Sequence, residues 1–426
     1  MTTTKNNEHK KLNAPNKQEQ NQTCLDAAER EGLRPKGNIP NLRFPEFQEE
    51  WEKCKLGTLT AKVGSGSTPK GGNAVYTSTG HCFVRSQNVG MGYLILDDVA
   101  HINDGIHQKH KATELKEDDV LLNITGASIG RTAIATKEIE GGNVNQHVCI
   151  IRANSKVSPK FLCNYIQTKK IQNYIQSLQT GGSREGLNFE QIRSFPISLP
   201  NIAEQNKIAQ LFDKLNERIA TQNKIIEDLK KLKCAIIEKV YSEIQGKEYS
   251  YGQLFDVVNE RNKQMEYSNI LSASQEKGMV NRDDLNLDIQ FERSNINTYK
   301  IVKKGDYVIH LRSFQGGLAF SDKLGVCSPA YTILRPNSIL EYGYLSNYFT
   351  SQRFIKSLVL VTYGIRDGRS INVDEWLSMK ITIPSKEHQQ YIVKMIRSFE
   401  RKIENEEAYA TQLSIQKQYL LHQMFI

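Results

Sequence analysis

The chain lacks the marks of several protein classes. No run approaches the roughly 18 consecutive apolar residues of a membrane-spanning helix. The opening Met1-Thr2-Thr3-Thr4-Lys5-Asn6-Asn7 has no apolar core of a secretory signal. The seven cysteines are scattered and include no Cys-x-x-Cys pair, which points to reduced thiols in a cytoplasmic protein rather than a disulfide frame. There is no Gly-x-x-x-x-Gly-Lys-Ser/Thr phosphate loop and no Asn-Pro-Pro-aromatic tetrapeptide of amino-methyltransferases. A nuclease triad can be assembled only from Asp104, Glu114 and Lys116, and it has no counterpart later in the chain. His101, His107 and His110 lie close together and could suggest a metal, but no Cys or acidic partner completes such a site in the matching second half of the chain, so they read as a polar surface loop. A basic block is also missing. The net charge of +9 conceals near balance, with 17 basic and 15 acidic residues in both 46–200 and 246–384. Non-specific adhesion of this chain to nucleic acid is therefore expected to be weak.

What the chain does contain is itself, twice. Its 426 residues suggest two or three domains at about 150 residues each. Ile197-Ser198-Leu199-Pro200 with Gln205 and Ile208 recurs 184 residues later as Ile381-Thr382-Ile383-Pro384 with Gln389 and Ile392. Upstream, Thr180-Gly181-Gly182-Ser183-Arg184-Glu185-Gly186 matches Thr362-Tyr363-Gly364-Ile365-Arg366-Asp367-Gly368, and Asp118-Asp119-Val120 matches Gly305-Asp306-Tyr307. Chance similarity of two amphipathic helices does not produce this colinear order across loop, strand and proline.

Each copy reads as a mixed α and β segment followed by a long helix. His147–Ile151, Val120–Ile124, Tyr307–Leu311 and Tyr331–Leu334 have the β-branched and aromatic character of strands. Pro159–Leu178 and its counterpart Tyr342–Leu360 read as helices. Ile208, Leu215, Leu229 and Ile236 keep a seven-residue step, as do Ile392, Phe399, Leu413 and Leu420, each with a second apolar series between. A helix from Glu204 to Ser242 spans roughly 58 Å. Each stripe carries one polar fault, Gln222 and Glu406, equivalent under the repeat: either a solvated position at a fraying seam or a device that fixes register.

The fold class is thus α+β, with two similar mixed domains joined by two long antiparallel coiled-coil helices in a pseudo-twofold arrangement. The expected divisions are a polar tail 1–40, a first domain 41–200, a central helix 201–245, a second domain 246–384 and a C-terminal helix 385–426. The tail has no aromatic residue through position 38 and reads as disordered, with at most a short helix over Thr23–Arg30. On B-DNA, two such domains would read two half-sites at a set separation.

The chain resembles the specificity subunit of a type I restriction–modification system. The resemblance rests on Asn41-Leu42-Arg43-Phe44-Pro45-Glu46-Phe47 with Trp51 and Lys55-Leu56-Gly57, and on Gly64-Ser65-Gly66-Ser67-Thr68-Pro69. Asn123-Ile124-Thr125-Gly126-Ala127-Ser128-Ile129-Gly130, Ser328-Pro329-Ala330-Tyr331 and the doubled Pro-x-x-x-x-Gln helix openings complete it. The motifs are degenerate singly; their doubled order is specific, and it covers residues 41–426. The resemblance implies a non-catalytic DNA-binding subunit that directs the complex to a bipartite, asymmetric target. Each domain would read one half-site, and the helices would set the gap. It implies double-stranded DNA, two modification subunits and motor–nuclease subunits as partners, in the cytoplasm and without a membrane. No cofactor is expected in this chain; S-adenosylmethionine, ATP and Mg belong to the partner subunits. The competing readings are a stand-alone nuclease or methyltransferase, and a protein scaffold that never meets DNA.

Candidate DNA contacts follow from side-chain chemistry. Ser65, Thr68 and Lys70 lie on a Gly-rich loop that either approaches phosphates or is an ordinary surface loop. Arg85, Gln87 and Asn88 follow a strand-like run, with Ser274 and Gln275 at the matching place; arginine suits guanine, and the amides suit adenine. Asn123, Thr125, Ser128 and Arg131 follow an apolar strand, as do Arg312, Ser313 and Gln315 in the second copy. Gln146 precedes another, beside Asn145, which turn chemistry alone would explain. Arg184 and Arg366, repeated in both copies, suit backbone contact rather than base reading, or a local pair with the neighbouring acid. Asn188, Arg369 and Asn372 complete the set.

Overall fold

Two buried glutamines show how the repeat is built. In a computed structural model that describes residues 37–179, 186–274, 277–284, 293–364 and 369–426, Gln205 and Gln389 are each about 1% exposed. Gln205 accepts from the Ser158 amide (2.8 Å) and donates to the Lys156 and Pro200 carbonyls (3.2 and 2.8 Å). Gln389 accepts from the Glu341 amide (2.7 Å) and donates to the Ile339 and Pro384 carbonyls (3.0 and 3.1 Å). The Pro-x-x-x-x-Gln motif thus ties each long helix to the strand before it and to the loop beside it. A buried amide persists only when its groups are so paired. The expected helix at Thr23–Arg30 and most of the tail 1–40 lie outside the described residues.

The chain divides into two compact units, Met1–Ala220 with Thr411–Ile426, and Thr221–Ala410. Unit 1 contains β1 (Glu52–Lys55), β2 (Thr60–Ser65), β3 (His81–Val84), β4 (Ala100–Ile102), β5 (Val120–Asn123), β6 (Thr132–Ile134), β7 (Asn143–Val144), β8 (Val148–Ala153) and β9 (Pro196–Leu199). Its main sheet is antiparallel in the order β2-β8-β5-β6. Its short helices are α1 (Asp104–Lys109), α2 (Pro159–Ile166), α3 (Lys169–Ser177) and α4 (Phe189–Arg193). The strands β5 and β8 are apolar because both faces are covered. Val120, Leu122, Cys149 and Ile151 enter one core with α2, whereas Leu121, Val148 and Ile150 enter a second core with Val84 and Val144.

Unit 2 contains β10 (Lys247–Ser250), β11 (Phe255–Val258), β12 (Leu271–Ser274), β13 (Gly278–Asn281), β14 (Lys300–Val302), β15 (Tyr307–Ile309) and β16 (Ala319–Phe320). These are followed by β17 (Gly325–Cys327), β18 (Thr332–Pro336), β19 (Thr362–Tyr363), β20 (Ser370–Ile371) and β21 (Lys380–Ile383). The sheet β11-β18-β15-β16 repeats the order and antiparallel sense of the first. In both sheets one buried carboxylate receives a two-pronged arginine from the neighbouring strand. Arg152 meets Asp119 at 2.7 and 2.7 Å, and Arg335 meets Asp306 at 2.9 and 2.9 Å. Asp119 also accepts the Lys116 amide at 2.8 Å. Asp119→Ala is expected to destabilise unit 1 by about 3 kcal/mol, because it strands both the guanidinium and that amide. Chemical denaturation measures this; a loss under about 1 kcal/mol would contradict it.

The long helices are α5 (Ile202–Ser242, 41 residues) and α10 (Lys386–Met424, 39 residues). Inside unit 2 their contacts are antiparallel. In unit 2, Lys233 pairs with Glu400 at 3.0 Å and Lys230 with Glu407 at 2.6 Å. The two polar faults meet: Gln222, about 5% exposed, donates to the Glu406 carboxylate and to its carbonyl at 3.3 Å. Hydrogen bonds from Lys402 and then Gln222 lower the Glu406 pKa below the usual carboxylate value. This pairing is the form that a register device takes, and a fraying seam does not bury its glutamine.

Each core is closed by the last turn of a long helix. Phe425 lies 5.2 Å from the Phe161 ring and 5.6 Å from Tyr165, while its repeat equivalent Tyr241 lies 5.6 Å from Tyr344 and 5.0 Å from Tyr348. The continuous helix expected over Pro159–Leu178 is instead two, because Thr168 caps a second start through the Ile171 amide. Unit 2 has the single-turn helices α6 (Tyr251–Leu254) and α7 (Ser313–Gly316), and of the helix expected over Tyr342–Leu360 only α8 (Gln352–Ser357) forms, flanked by tight turns and capped by Ser351.

Candidate nucleic-acid interface

In unit 1 the candidate interface residues gather on three loops. Strand β5 ends in the Asn123–Arg131 loop, β2 runs out into Ser65–Lys70, and β8 is entered through Asn145-Gln146-His147. The loop after β2 lies directly on the backbone at Val144. A Cβ on Gly66 would sit 1.7 Å from the Val144 carbonyl oxygen, so only glycine allows the approach. This close seat brings Thr68 to Gln146, whose side-chain oxygen accepts from the Thr68 hydroxyl. The Gln146 amide nitrogen meets His147 Nε2 at 3.0 Å, and His147 Nδ1 meets Thr125 Oγ1 at 2.6 Å. Ser67 Oγ reaches His110 Nδ1 at 3.0 Å. Thr68, Thr125 and Gln146, separated in sequence, are thereby joined in one surface network. Its hub, His147, was not among the residues singled out by side-chain type; its position directly before a buried strand is the only sequence signal for it.

The remaining candidates fall into groups. Lys70, Gln87 and Arg131 are exposed, and Ser65 and Ser128 are half-buried. Arg85 is half-buried over the Tyr76 ring, 5.7 Å from its centroid, and reaches the Asp98 carbonyl at 3.4 Å. Gln87 donates to the Asp98 carboxylate at 2.9 Å. Three candidates are corrected by burial. Asn88, Asn123 and Ser313 are each fully buried. Asn88 accepts the Arg85 amide and donates to the Ile95 carbonyl, both at 2.9 Å. Asn123 donates to the Ser86 carbonyl at 2.8 Å, and Ser313 accepts the His310 amide at 2.8 Å. These side chains hold loops together and present nothing to a groove. Asn188 and Asn372 are N-caps, of α4 and of α9 (Val373–Ser378). Asn145 makes the turn that was its plain reading, accepting the His147 amide at 3.1 Å.

In unit 2 the loop after β15 presents Arg312 and Gln315, both exposed, and Arg369 is exposed before β20. Gly317, at φ +77°, ends the loop against the Phe349 carbonyl, where a side chain cannot enter. Ser274 is half-buried at the end of β12. Burial lowers the pKa of His310, whose Nδ1 accepts the Arg312 amide at 3.3 Å and so shapes the loop as a neutral ring. Arg184, Gln275 and Arg366 lie outside the described residues. Elsewhere, Asp104 pairs with His81 at 2.8 Å and Glu114 with Lys111 at 2.6 Å. Among the described residues no cluster of three His, Cys, Asp or Glu side chains forms a metal site.

Comparison with known proteins shows the family of the chain as a whole. The type I restriction modification DNA specificity domain matches the chain twice, at residues 48–231 and 246–414. The chain is 20% identical over 390 residues to a protein of Methanocaldococcus jannaschii described as the type I restriction enzyme MjaX specificity subunit, covering 86% of this chain and 91% of that one. It is 27% identical over 139 residues to the type I restriction enzyme EcoBI specificity subunit of Escherichia coli, covering 31% and 28%. A chain from a solved type I restriction–modification assembly superposes with a TM-score of 0.54 at 16% identity, covering 88% of this chain and 97% of that one. The crystal structure of the type I S subunit from M. genitalium gives 0.52 at 13% identity, covering 91% and 99%. These two likenesses are likenesses of fold.

Proposed function

Because this chain belongs to the type I restriction–modification DNA-specificity family, with the family's domain present twice, we propose that it addresses a restriction–modification complex to a bipartite, asymmetric DNA sequence. It is the non-catalytic DNA-recognition subunit, and its two domains recognise the target. In our reading each domain serves one half-site and the long helices set the gap. Two modification subunits bind S-adenosylmethionine, motor–nuclease subunits use ATP and Mg, and the complex works in the cytoplasm. No helix among the described residues is long and apolar enough to cross a membrane.

One observation carries this reading: the repeat keeps its scaffold and changes its surface. Asp119–Arg152 and Gln205 recur as Asp306–Arg335 and Gln389. Yet where β5 leads to Thr125, β15 leads to Arg312 at the same register. Different polar groups on one frame are what two unlike half-sites require. Reconstitution tests it. The purified chain alone is expected neither to methylate nor to cleave DNA, and with its partner subunits to direct methylation to one bipartite sequence. Activity of the chain alone, or an assembled complex that does not retain DNA, would overturn the proposal.

A further inference from the structure

We propose that His147 is a positioning residue that holds Gln146 as an adenine reader in the half-site served by unit 1. The inference rests on the DNA-recognition reading above and deepens it. A carboxamide has two N–H donors and two oxygen lone pairs. In Gln146 one lone pair is taken by the Thr68 hydroxyl and one N–H by His147 Nε2. One N–H and one lone pair of the same carboxamide are left on an exposed side chain. That is the pattern complementary to adenine in the major groove, which offers the N7 acceptor and the N6 donor. A free glutamine on a loop must lose its rotamer freedom on binding. Here the two flanking hydrogen bonds have already removed it.

The fixing runs back into the fold. With its Nε2 accepting from Gln146, the neutral His147 ring carries its proton on Nδ1 and donates to Thr125 Oγ1 at 2.6 Å. The Thr125 main chain is held by a bridge to Gly186. The His147 amide is tied to the Asn145 side chain at 3.1 Å. On the other side, the seat of Gly66 against Val144 sets the height of Thr68. Thus the His147 ring is held from the fold side, and the chain that carries Thr68 is seated two residues before it.

The test uses the full complex with its partner subunits and the target sequence read by genome methylation profiling. Gln146→Ala is expected to relax the preference for adenine at one position of one half-site by about tenfold or more. His147→Gln keeps a carbonyl within reach of Gln146 and should retain the preference. His147→Asn keeps only the link toward Thr125 and should relax the same position. At that position 7-deazaadenine, which lacks the N7 acceptor, should weaken binding of the wild-type and His147→Gln complexes and leave the other two indifferent. The second half-site should be unchanged throughout, which reports an intact complex. If His147→Asn does not assemble, Thr68→Val removes the other hydrogen bond and carries the same expectation. The inference is overturned if Gln146→Ala alters no position, or if His147→Asn or Thr68→Val keeps the wild-type preference. The two layers separate cleanly. An exchange of residues 46–200 that changes no half-site defeats the DNA reading itself. An exchange that changes one, with Gln146→Ala silent, defeats only the inference.

Discussion

Removing Leu420–Ile426 is expected to unfold unit 1 while leaving unit 2 folded. The segment is the end of α10, but its side chains are core. Leu421, Met424 and Phe425 are 2%, 3% and 7% exposed, and they pack with Trp51, Phe161, Tyr165 and Phe212. Tyr165 and Lys170 also donate to the final carbonyl, at 2.8 and 3.0 Å. Phe425→Ala alone should cost unit 1 about 3–5 kcal/mol, since an aromatic ring is lost from among rings that cannot collapse inward. Deleting all three side chains exceeds what a domain with roughly 5–15 kcal/mol of stability can lose. Hydrogen exchange resolved along the chain measures this. Amides of β5 and β8 should lose protection, and those of β15 and β18 should keep it. Equal protection in both would show that the helix end is not part of the unit 1 core. Tyr241→Ala is the mirror experiment, with unit 2 affected.

Deleting one heptad from each long helix is expected to shorten the gap in the DNA target. Seven residues are about 10 Å of helix, and base pairs rise about 3.4 Å each, so the change is about three base pairs. Deletion from one helix only should abolish assembly, because Gln222 and Glu406 could then pair only with the ion pairs beside them out of step. Methylation profiling reads the gap directly. An unchanged gap with retained activity would remove the helices from their role in spacing.

The parts of this fold that were legible beforehand were those with a period or a repeat. The heptad steps identify α5 and α10 because an apolar stripe at that spacing has one low-energy use. The paired copies reveal the domain plan because two similar sequences fold alike. The break at Thr168 was not legible: residues 159–178 contain no glycine or proline after Pro159, and a threonine within a helical pattern declares itself a cap only when tertiary packing turns the chain. The capping role of Asn188 was readable in principle, since Gln191 three residues on completes a capping box.

The interface was less legible, for a physical reason. A polar residue after an apolar strand either faces solvent or satisfies the backbone, and sequence does not distinguish the two. Asn123 and Ser313 look like groove residues by composition, but both are buried, with the Asn123 amide donating to the Ser86 carbonyl and the Ser313 hydroxyl accepting the His310 amide. Gln146 and Thr68 stand 78 residues apart. Their meeting depends on Gly66 lying flat against Val144, a three-dimensional fact without local signature.

The central claim is that two domains of one frame read two different half-sites. The most direct measurement is genome methylation profiling of the assembled complex after residues 46–200 are exchanged for the corresponding domain of another family member. The account predicts that one half-site changes and the other half-site stays as it was. A target in which both halves change together, or neither does, would contradict it.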